Sequence, residues 1–363
     1  MEWSYKIGTI FGIPLRIHIT FPMLILAYGA LFGYEYGLAA ALRGSVLILV
    51  LFACVILHEL AHSKQAERYG VKVRDVTLLP IGGVSSMEQI PEDPKQELKI
   101  ALAGPLTSLA IGVVLLLINI AVGLNIFDFS IEKIATSFAH LPVYLGWINI
   151  FLAIFNLLPA FPMDGGRVIR AYLARRMSYA RATKIAAVVG KSFAIVFGIV
   201  GLVINPFLIF IAFFVYLGAS SEERAVLIGE GLKGLKVKDV MNTQCIAIAA
   251  DTSLSEVVEK IFHGTCRGVI PVAERGAYVG LASQENILSA IHEHGLDIHI
   301  GKIAKTMSAV SPDDELNEIY RRMQRDQESA YAVMDHGELV GIISLEDLGR
   351  AYSVVTAIQS GKE

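Results

Sequence analysis

Two histidines and a glutamate stand close together where a long apolar run ends. His58 and His62 are four residues apart, and Glu59 directly follows the first histidine. Positions four apart on a helix share a face, so both imidazoles can bind one zinc ion while the glutamate reaches a water molecule beside it. The simpler alternative is three hydrated polar residues at a helix end. Because ionisable side chains at membrane depth are costly, we favour a metal site that activates water for hydrolysis.

A catalytic zinc ion needs a third protein ligand and keeps its fourth position for water. Asp164 is the strongest candidate, because it follows an apolar segment and precedes two glycines in NLLPAFPMDGGR. Proline, aspartate and glycine also favour a turn that ends a helix, and this alternative would be preferred if the segment stood alone. Beside His58 and His62 on the same side of a membrane, Asp164 is predicted to complete the ligand set.

The composition indicates a membrane protein with a soluble C-terminal part. The chain has 363 residues, of which 54% are hydrophobic, and its mean hydropathy is +0.56. The net charge of −3 argues against nucleic-acid binding, which needs a basic surface. The three cysteines, Cys54, Cys245 and Cys266, predict no disulfide framework and fit a reducing cytosol.

Apolar blocks of membrane-spanning length predict a polytopic α-helical membrane domain of about six spans. The predicted spans are Ile19–Tyr36, Val46–His62, Ile100–Val122, Val143–Leu158, Ala186–Ile204 and Pro206–Leu217. Lysines and arginines cluster before the first span, after the second and after the fourth. Such clusters favour the cytosolic side. We therefore predict a multi-pass protein of the cell membrane with both termini cytosolic and the metal site near the cytosolic side.

A small β hairpin is predicted between the second and third spans. β-branched runs flank Gly82 and Gly83 in VKVRDVTLLPIGGVSSM. An open sheet edge needs protein or a wet cavity beside it, which places the hairpin next to the ionisable cluster. Glycines let another backbone come close, so the hairpin can hold an extended substrate by strand addition. A plain tight turn is the equally good alternative.

The chain repeats itself after the membrane part. GVIPV matches AYAVM, and YVGLASQENI matches LVGIISLEDL, with Gly280 opposite Gly341 and Ser283 opposite Ser344. Each copy is predicted to fold as a strand, a helix, two strands and a helix. The expected domains are a membrane domain (1–222), a linker (223–235), a first α/β repeat (236–295) and a second repeat (296–363).

The membrane part resembles the site-2 protease family of intramembrane zinc metalloproteases. HELAH and NLLPAFPMDGGR carry the resemblance, with FGIPLRIHITFP, LLPIGGVSSM and ALAGPLTSLAIG in support. It implies His58, His62 and Asp164 as zinc ligands, Glu59 as the catalytic carboxylate and a single-span membrane protein as substrate. It also implies that Asn156 supports catalysis by donating a hydrogen bond to the oxyanion, with helix–helix hydrogen bonding as the alternative. Many relatives have asparagine where this chain has Ser108, so no role is expected there.

The repeated part resembles a tandem pair of CBS domains, which implies adenine-nucleotide binding and a homodimer. Ser344 and Asp347 match the positions that contact phosphate and ribose, whereas the first repeat has Ser283 and Asn286. Because asparagine carries no charge, the cleft at Asp347 is favoured over that at Asn286. The alternative is that Asp347 only caps the following helix.

Two further functions remain open at this point. Many CBS pairs are attached to transporters or channels, so a CBS-regulated transporter is the main alternative to a peptidase. A catalytically silent membrane adaptor is the other. The complete set of His58, Glu59, His62 and Asp164 favours the enzyme, because a transporter has no need of that spacing.

Overall fold

The computed structural model describes residues 3–80, 82–87, 91–127, 130–263, 268–275, 277–306, 309–326 and 328–360. The helices are α1 (Thr20–Tyr36), α2 (Leu38–Glu67), α3 (Pro94–Ala121), α4 (Ile131–Thr136), α5 (Leu141–Asn156), α6 (Asp164–Leu173), α7 (Tyr179–Val203), α8 (Phe207–Gly231), α9 (Leu254–His263), α10 (Gln284–His294), α11 (Leu316–Asp326) and α12 (Leu345–Ser360). The strands are β1 (Ser4–Ile10), β2 (Ile13–His18), β3 (Val73–Leu79), β4 (Gly82–Met87), β5 (Ile248–Ala249), β6 (Val269–Glu274), β7 (Ala277–Ser283), β8 (Ala330–Asp335) and β9 (Glu338–Ser344). The chain forms two compact units, one up to Glu223 and one from Arg224.

Four helical segments among the described residues are long and apolar enough to cross a membrane. They are α2, α3, the segment Phe138–Asn156 that includes α5, and α7. The predicted first span coincides with α1, which has only 17 residues. The predicted sixth span covers the apolar first half of α8, whose second half is charged. Four of the predicted spans therefore have a helix that meets both requirements, and the total of about six stays a prediction.

Small residues let the helices of the first unit approach closely. A β-carbon at Gly44 of α2 would stand 2.8 Å from the Phe32 ring of α1. One at Gly112 of α3 would stand 2.8 Å from the Gly146 carbonyl oxygen of α5. Small residues at such contacts are the usual means of helix packing in lipid. This packing holds α1 against α2 and α3 against α5.

A four-stranded sheet lies against α2, in the order β1-β2-β3-β4. β2 and β3 run parallel, and the other neighbours are antiparallel. The predicted hairpin is present as β3 and β4, with Leu78 paired to Gly83 and Leu79 to Gly82. The two glycines therefore open β4 and do not form the turn itself. The sequence does not predict β1 and β2. Most residues of β1 are exposed, so this strand leaves no clear hydrophobic pattern in the sequence.

The second unit contains the predicted repeat. β5, β6 and β7 form one sheet, and β8 and β9 form another. The register shifts at equivalent places in the two hairpins, after Val272 in the first and after Val333 in the second. The predicted order of elements is confirmed in the first copy. In the second copy, the described part of the first strand is a single bridge between Val310 and Val333.

The cysteines depart from the sequence prediction. Cys54 is buried and free, but Cys245 is disulfide-bonded, so the expectation of no disulfide is wrong at this residue. Cys266 lies outside the described residues. A disulfide requires Cα atoms within about 7 Å of each other, and spacing in the sequence does not reveal that distance.

Candidate active site

The two histidines of α2 lie one helical turn apart on a buried face. Each is only 4% exposed. Their Nε2 atoms are 3.1 Å apart, so the two rings converge on one point. This confirms that the helix places both imidazoles together, as their spacing predicts.

The other ring nitrogen of each histidine is held by α3. His62 Nδ1 lies 2.7 Å from the Ile100 carbonyl oxygen, and His58 Nδ1 lies 2.9 Å from Ser108 Oγ. A carbonyl oxygen can only accept, so His62 carries its proton on Nδ1 and keeps the Nε2 lone pair for a metal. Ser108, for which no role was expected, thus orients one of the two imidazoles.

Asp164 begins α6 and reaches the same point as the imidazoles. Its Oδ2 lies 3.1 Å from His62 Nε2 and 3.4 Å from His58 Nε2. The next residue, Gly165, has no room for a side chain, because a β-carbon there would stand 2.1 Å from the Leu158 carbonyl oxygen. The double glycine therefore lets α6 start directly behind the loop that follows α5.

The three side chains fit a zinc ion. One ligand atom from each lies within 4.8 Å of the others, and all three residues are buried. Ligand atoms about 2.0–2.1 Å from one ion in a tetrahedral arrangement stand about 3.3 Å apart, which agrees with the observed spacing. Two imidazoles and a carboxylate are also the donor types of a hydrolytic zinc centre. Gly104 of α3 leaves the space beside both Nε2 atoms open.

Glu59 lies on the side of α2 that meets the sheet. Its Oε2 accepts a hydrogen bond of 2.6 Å from Ser85 Oγ of β4. A β-carbon at Gly83 would stand 2.5 Å from Glu59 Cγ, so β4 passes directly over this side chain. Gly82, the other predicted substrate contact, opens the same strand with a φ of 138°. The sequence placed the hairpin near the ionisable cluster, but it did not single out Ser85.

Asn156 is the last residue of α5 and is half-buried. Its Nδ2 donates a hydrogen bond of 2.9 Å to the Leu152 carbonyl oxygen of the same helix. Nδ2 carries two hydrogens, so this contact uses one and leaves one available.

A buried ion-pair network lies behind Asp164. Arg170 of α6 is 1% exposed and donates to Glu97 Oε1 of α3 and to Glu222 Oε1 of α8, at 2.7 Å each. Its guanidinium also stacks on the Phe161 and Tyr179 rings, at 4.9 and 4.8 Å from their centres. The network fixes the helix that begins at Asp164 to two other helices. No sequence signal pairs these charges, because they are far apart in the chain.

The predicted nucleotide residues start two equivalent helices in the second unit. The Ser344 main-chain N–H donates to Asp347 Oδ2 at 2.9 Å, and Ser344 Oγ accepts from the Asp347 main-chain N–H at 3.2 Å, which is a reciprocal helix cap. In the first repeat, Ser283 Oγ accepts from the Asn286 N–H at 3.2 Å. An open cavity of about 470 Å³ lies at Ser283. It is lined by Gly268, Ser283, Gln284, Glu285, Leu288, Ser289 and Ser329.

Comparisons with known proteins cover both units. A model of peptidase family M50 matches residues 46–197, and a model of the CBS domain matches residues 237–293 and 300–354. The chain is 36% identical over 356 residues to a zinc metalloprotease of Methanocaldococcus jannaschii, with 98% of each protein covered. It is 29% identical to a protein of Mycobacterium tuberculosis named as a zinc metalloprotease, covering 99% of this chain and 95% of that one. The solved site-2 protease from Methanocaldococcus jannaschii is 41% identical over 61% of this chain and 96% of its own, with a TM-score of 0.46.

These relationships confirm the enzyme class and argue against the transporter and the silent adaptor. The M50 match includes all three candidate ligands and Glu59, and the two CBS matches fall on the two predicted repeats. The similarity to the archaeal zinc metalloprotease extends over almost the whole chain. This chain therefore belongs to peptidase family M50, the site-2 protease family of zinc metalloproteases, and carries a tandem pair of CBS domains after its protease domain.

Proposed function

We propose that this protein is an intramembrane endopeptidase that cleaves transmembrane segments of single-span membrane proteins. The observation that carries the proposal is the buried cluster of His58, His62 and Asp164, two of whose members lie on α2, a helix apolar enough to cross a membrane. A peptide bond brought to this cluster from the lipid would meet a zinc site that is shielded from bulk water. The protein would be multi-pass with about six spans, with both termini and the cluster toward the cytosol, as the basic loops favour.

The proposed residue roles are those that the resemblance to site-2 proteases implies. His58, His62 and Asp164 would hold a zinc ion, which would supply the Lewis acidity that makes water a nucleophile at neutral pH. Glu59 accepts the proton of the attacking water and delivers it to the leaving amine. Asn156 donates its remaining amide hydrogen to the substrate carbonyl oxygen as negative charge develops there.

β4 is the proposed binding strand for the substrate. It is the last strand in the described sheet, so one of its edges has no strand beside it. A transmembrane helix hides its carbonyls in internal hydrogen bonds, and the segment to be cut must therefore unwind. Gly82 and Gly83 begin β4 and carry no side chain that would obstruct a second backbone. Pairing with this edge would replace the hydrogen bonds lost on unwinding and hold the segment beside Glu59.

The CBS pair is proposed to bind an adenine nucleotide (ATP, ADP or AMP) and thereby to change the rate of proteolysis. The cavity at Ser283 offers room for such a ligand, with Asn286 on the same helix. Ser344 and Asp347 occupy the equivalent positions of the second repeat. A ligand shifts a conformational equilibrium only by its different affinities for the two states, so regulation requires two states of the protease. We also propose a homodimer through the CBS pair, because cyclic dimers are the commonest oligomers.

The proposed activity is tested with purified protein and candidate single-span membrane proteins. We expect the wild type to bind about one zinc ion per chain and to cut a substrate within its span. Glu59→Gln keeps all three ligands, so it should retain zinc and lose cleavage by orders of magnitude. His58→Ala should lose the zinc. Substantial cleavage by Glu59→Gln would exclude the role assigned to Glu59.

A further inference from the structure

Two residues on one face of β4 lie against the side chain of Glu59. Gly83 and Ser85 are two positions apart, and such positions lie on the same face of a strand. Gly83 lies against the aliphatic part, where a β-carbon would stand 2.5 Å from Glu59 Cγ. Ser85 lies at the carboxylate, with its Oγ 2.6 Å from Oε2. The strand therefore restricts both the path of the side chain and the position of one carboxylate oxygen.

A second serine orients the hydroxyl of Ser85. Ser63 follows Glu59 by one turn of α2, is fully buried, and donates to Ser85 Oγ at 3.3 Å. Because Ser85 accepts this bond, its single hydrogen is free for an acceptor of its own. Among the described residues, its hydrogen-bond acceptors are Glu59 Oε2 at 2.6 Å and the Glu59 main-chain oxygen at 3.5 Å. The shorter contact is the stronger hydrogen bond, so the hydrogen points to the carboxylate.

We propose that Ser85 is a positioning residue for catalysis, and this inference rests on the peptidase function proposed above. With Oε2 held by Ser85, Oε1 is the oxygen of Glu59 that is left to accept the proton. Preorganised groups of this kind act because their own side chains are fixed by neighbours. β4 is also the proposed binding strand for the substrate. One rigid element thus places both the segment to be cut and the carboxylate that assists the cut.

A purely structural role for Ser85 would change different kinetic parameters from a positioning role. If the hydroxyl only fastened β4 to α2, its loss would lower stability or weaken substrate binding. If it positions Glu59, its loss lowers kcat while KM and zinc content stay near their wild-type values. Ser86 provides a matched control, since it neighbours Ser85 on β4 but donates to Asp75 Oδ1 at 2.9 Å.

The kinetic experiment compares Ser85→Ala, Ser85→Thr and Ser86→Ala with the wild type. We expect kcat of Ser85→Ala to fall roughly tenfold or more, because a hydrogen bond to a charged group is lost. Ser85→Thr keeps the hydroxyl and should recover most of the wild-type kcat. Ser86→Ala leaves the Ser85 hydroxyl in place, so its kcat should stay near the wild-type value. The proposal would be overturned by a wild-type kcat in Ser85→Ala. It would also be overturned if Ser86→Ala lost as much kcat as Ser85→Ala, or if Ser85→Thr recovered none of it. Zinc content and the unfolding midpoint Tm show whether each variant is folded.

An infrared measurement tests the contact without any substrate. The carboxyl band of Glu59 is isolated in zinc-free protein as the difference between each protein and its Glu59→Gln counterpart. We expect this band to shift in Ser85→Ala and to stay in place in Ser86→Ala. An unshifted band in Ser85→Ala would overturn the proposal. If the wild type cut no membrane protein at all, the peptidase function would fail, and the infrared result would still decide whether Ser85 holds Glu59.

Discussion

Gly104 of α3 lies directly beside the imidazole of His62. A β-carbon built on this glycine would stand 2.1 Å from His62 Nε2 and 2.6 Å from His58 Nε2. Both distances are far shorter than a van der Waals contact. The missing side chain therefore sets how closely α3 can approach the two metal-binding nitrogens.

Gly104→Ala is expected to abolish or strongly weaken zinc binding. The methyl group would displace both rings, and we expect at least the roughly 10–100-fold loss of affinity that follows when outer-shell partners are removed. Zinc per chain, measured after gel filtration in detergent, checks this. Gly198→Ala on α7 is the control, because its β-carbon would lie 3.8 Å from the nearest atom, in Ala212. A full zinc complement in Gly104→Ala would show that the rings do not need this space.

Asp164→Asn tests the third ligand. Asparagine keeps the shape of the side chain but removes the anionic oxygen, so zinc binding should weaken at least roughly tenfold and little activity should remain. Titration with a competing chelator gives the affinity, and cleavage of a membrane substrate gives the activity. Normal values of both would mean that another residue supplies the third ligand.

The proposed topology is tested with single cysteines at Arg68, Arg175 and Asn125, all of which are exposed. A membrane-impermeant maleimide should label Arg68→Cys and Arg175→Cys only from the cytosolic side and Asn125→Cys only from outside. The unsubstituted protein gives the background from its own cysteines. Labelling of Arg68→Cys and Arg175→Cys from opposite sides would contradict the shared-site arrangement of α2 and α6.

Nucleotide binding is tested by isothermal titration of the full-length protein with ATP, ADP and AMP. Asp347→Ala should weaken binding roughly tenfold, because a ribose hydroxyl loses a charged partner, and Asn286→Ala should weaken it less. Asp347 also caps α12, so the Tm of the Asp347→Ala protein must be compared with that of the wild type. Absence of heat with all three nucleotides, or equal affinity after Asp347→Ala, would leave the repeats as a dimerisation platform.

The features that the sequence predicted well depend on local spacing. His58 and His62 converge because a single helix fixes positions four apart. The two α/β repeats are visible because a constant offset relates Gly280 to Gly341 and Ser283 to Ser344. The hairpin at Gly82 follows from the β-branched runs on either side of it.

The features that the sequence did not reveal depend on contacts between distant segments. Ser108 orients His58 across 50 residues, and Arg170 pairs with Glu97 across 73. Neither serine nor arginine differs in type or spacing from many others in the chain. Ser85 carries no signal in the sequence for the same reason, since only the sheet packed on α2 makes it a neighbour of Glu59.

The separation of the ligands along the chain has a consequence for the synthesis of the protein. His62 and Asp164 are 102 residues apart in the sequence, yet their ligand atoms are 3.1 Å apart. A nascent chain that has reached only the end of α5 carries the two imidazoles and lacks the anionic ligand. Such a partly made chain, or one truncated before α6, has no complete metal site. Zinc-dependent hydrolysis by this chain therefore has to wait until α6 has been made and packed against α2.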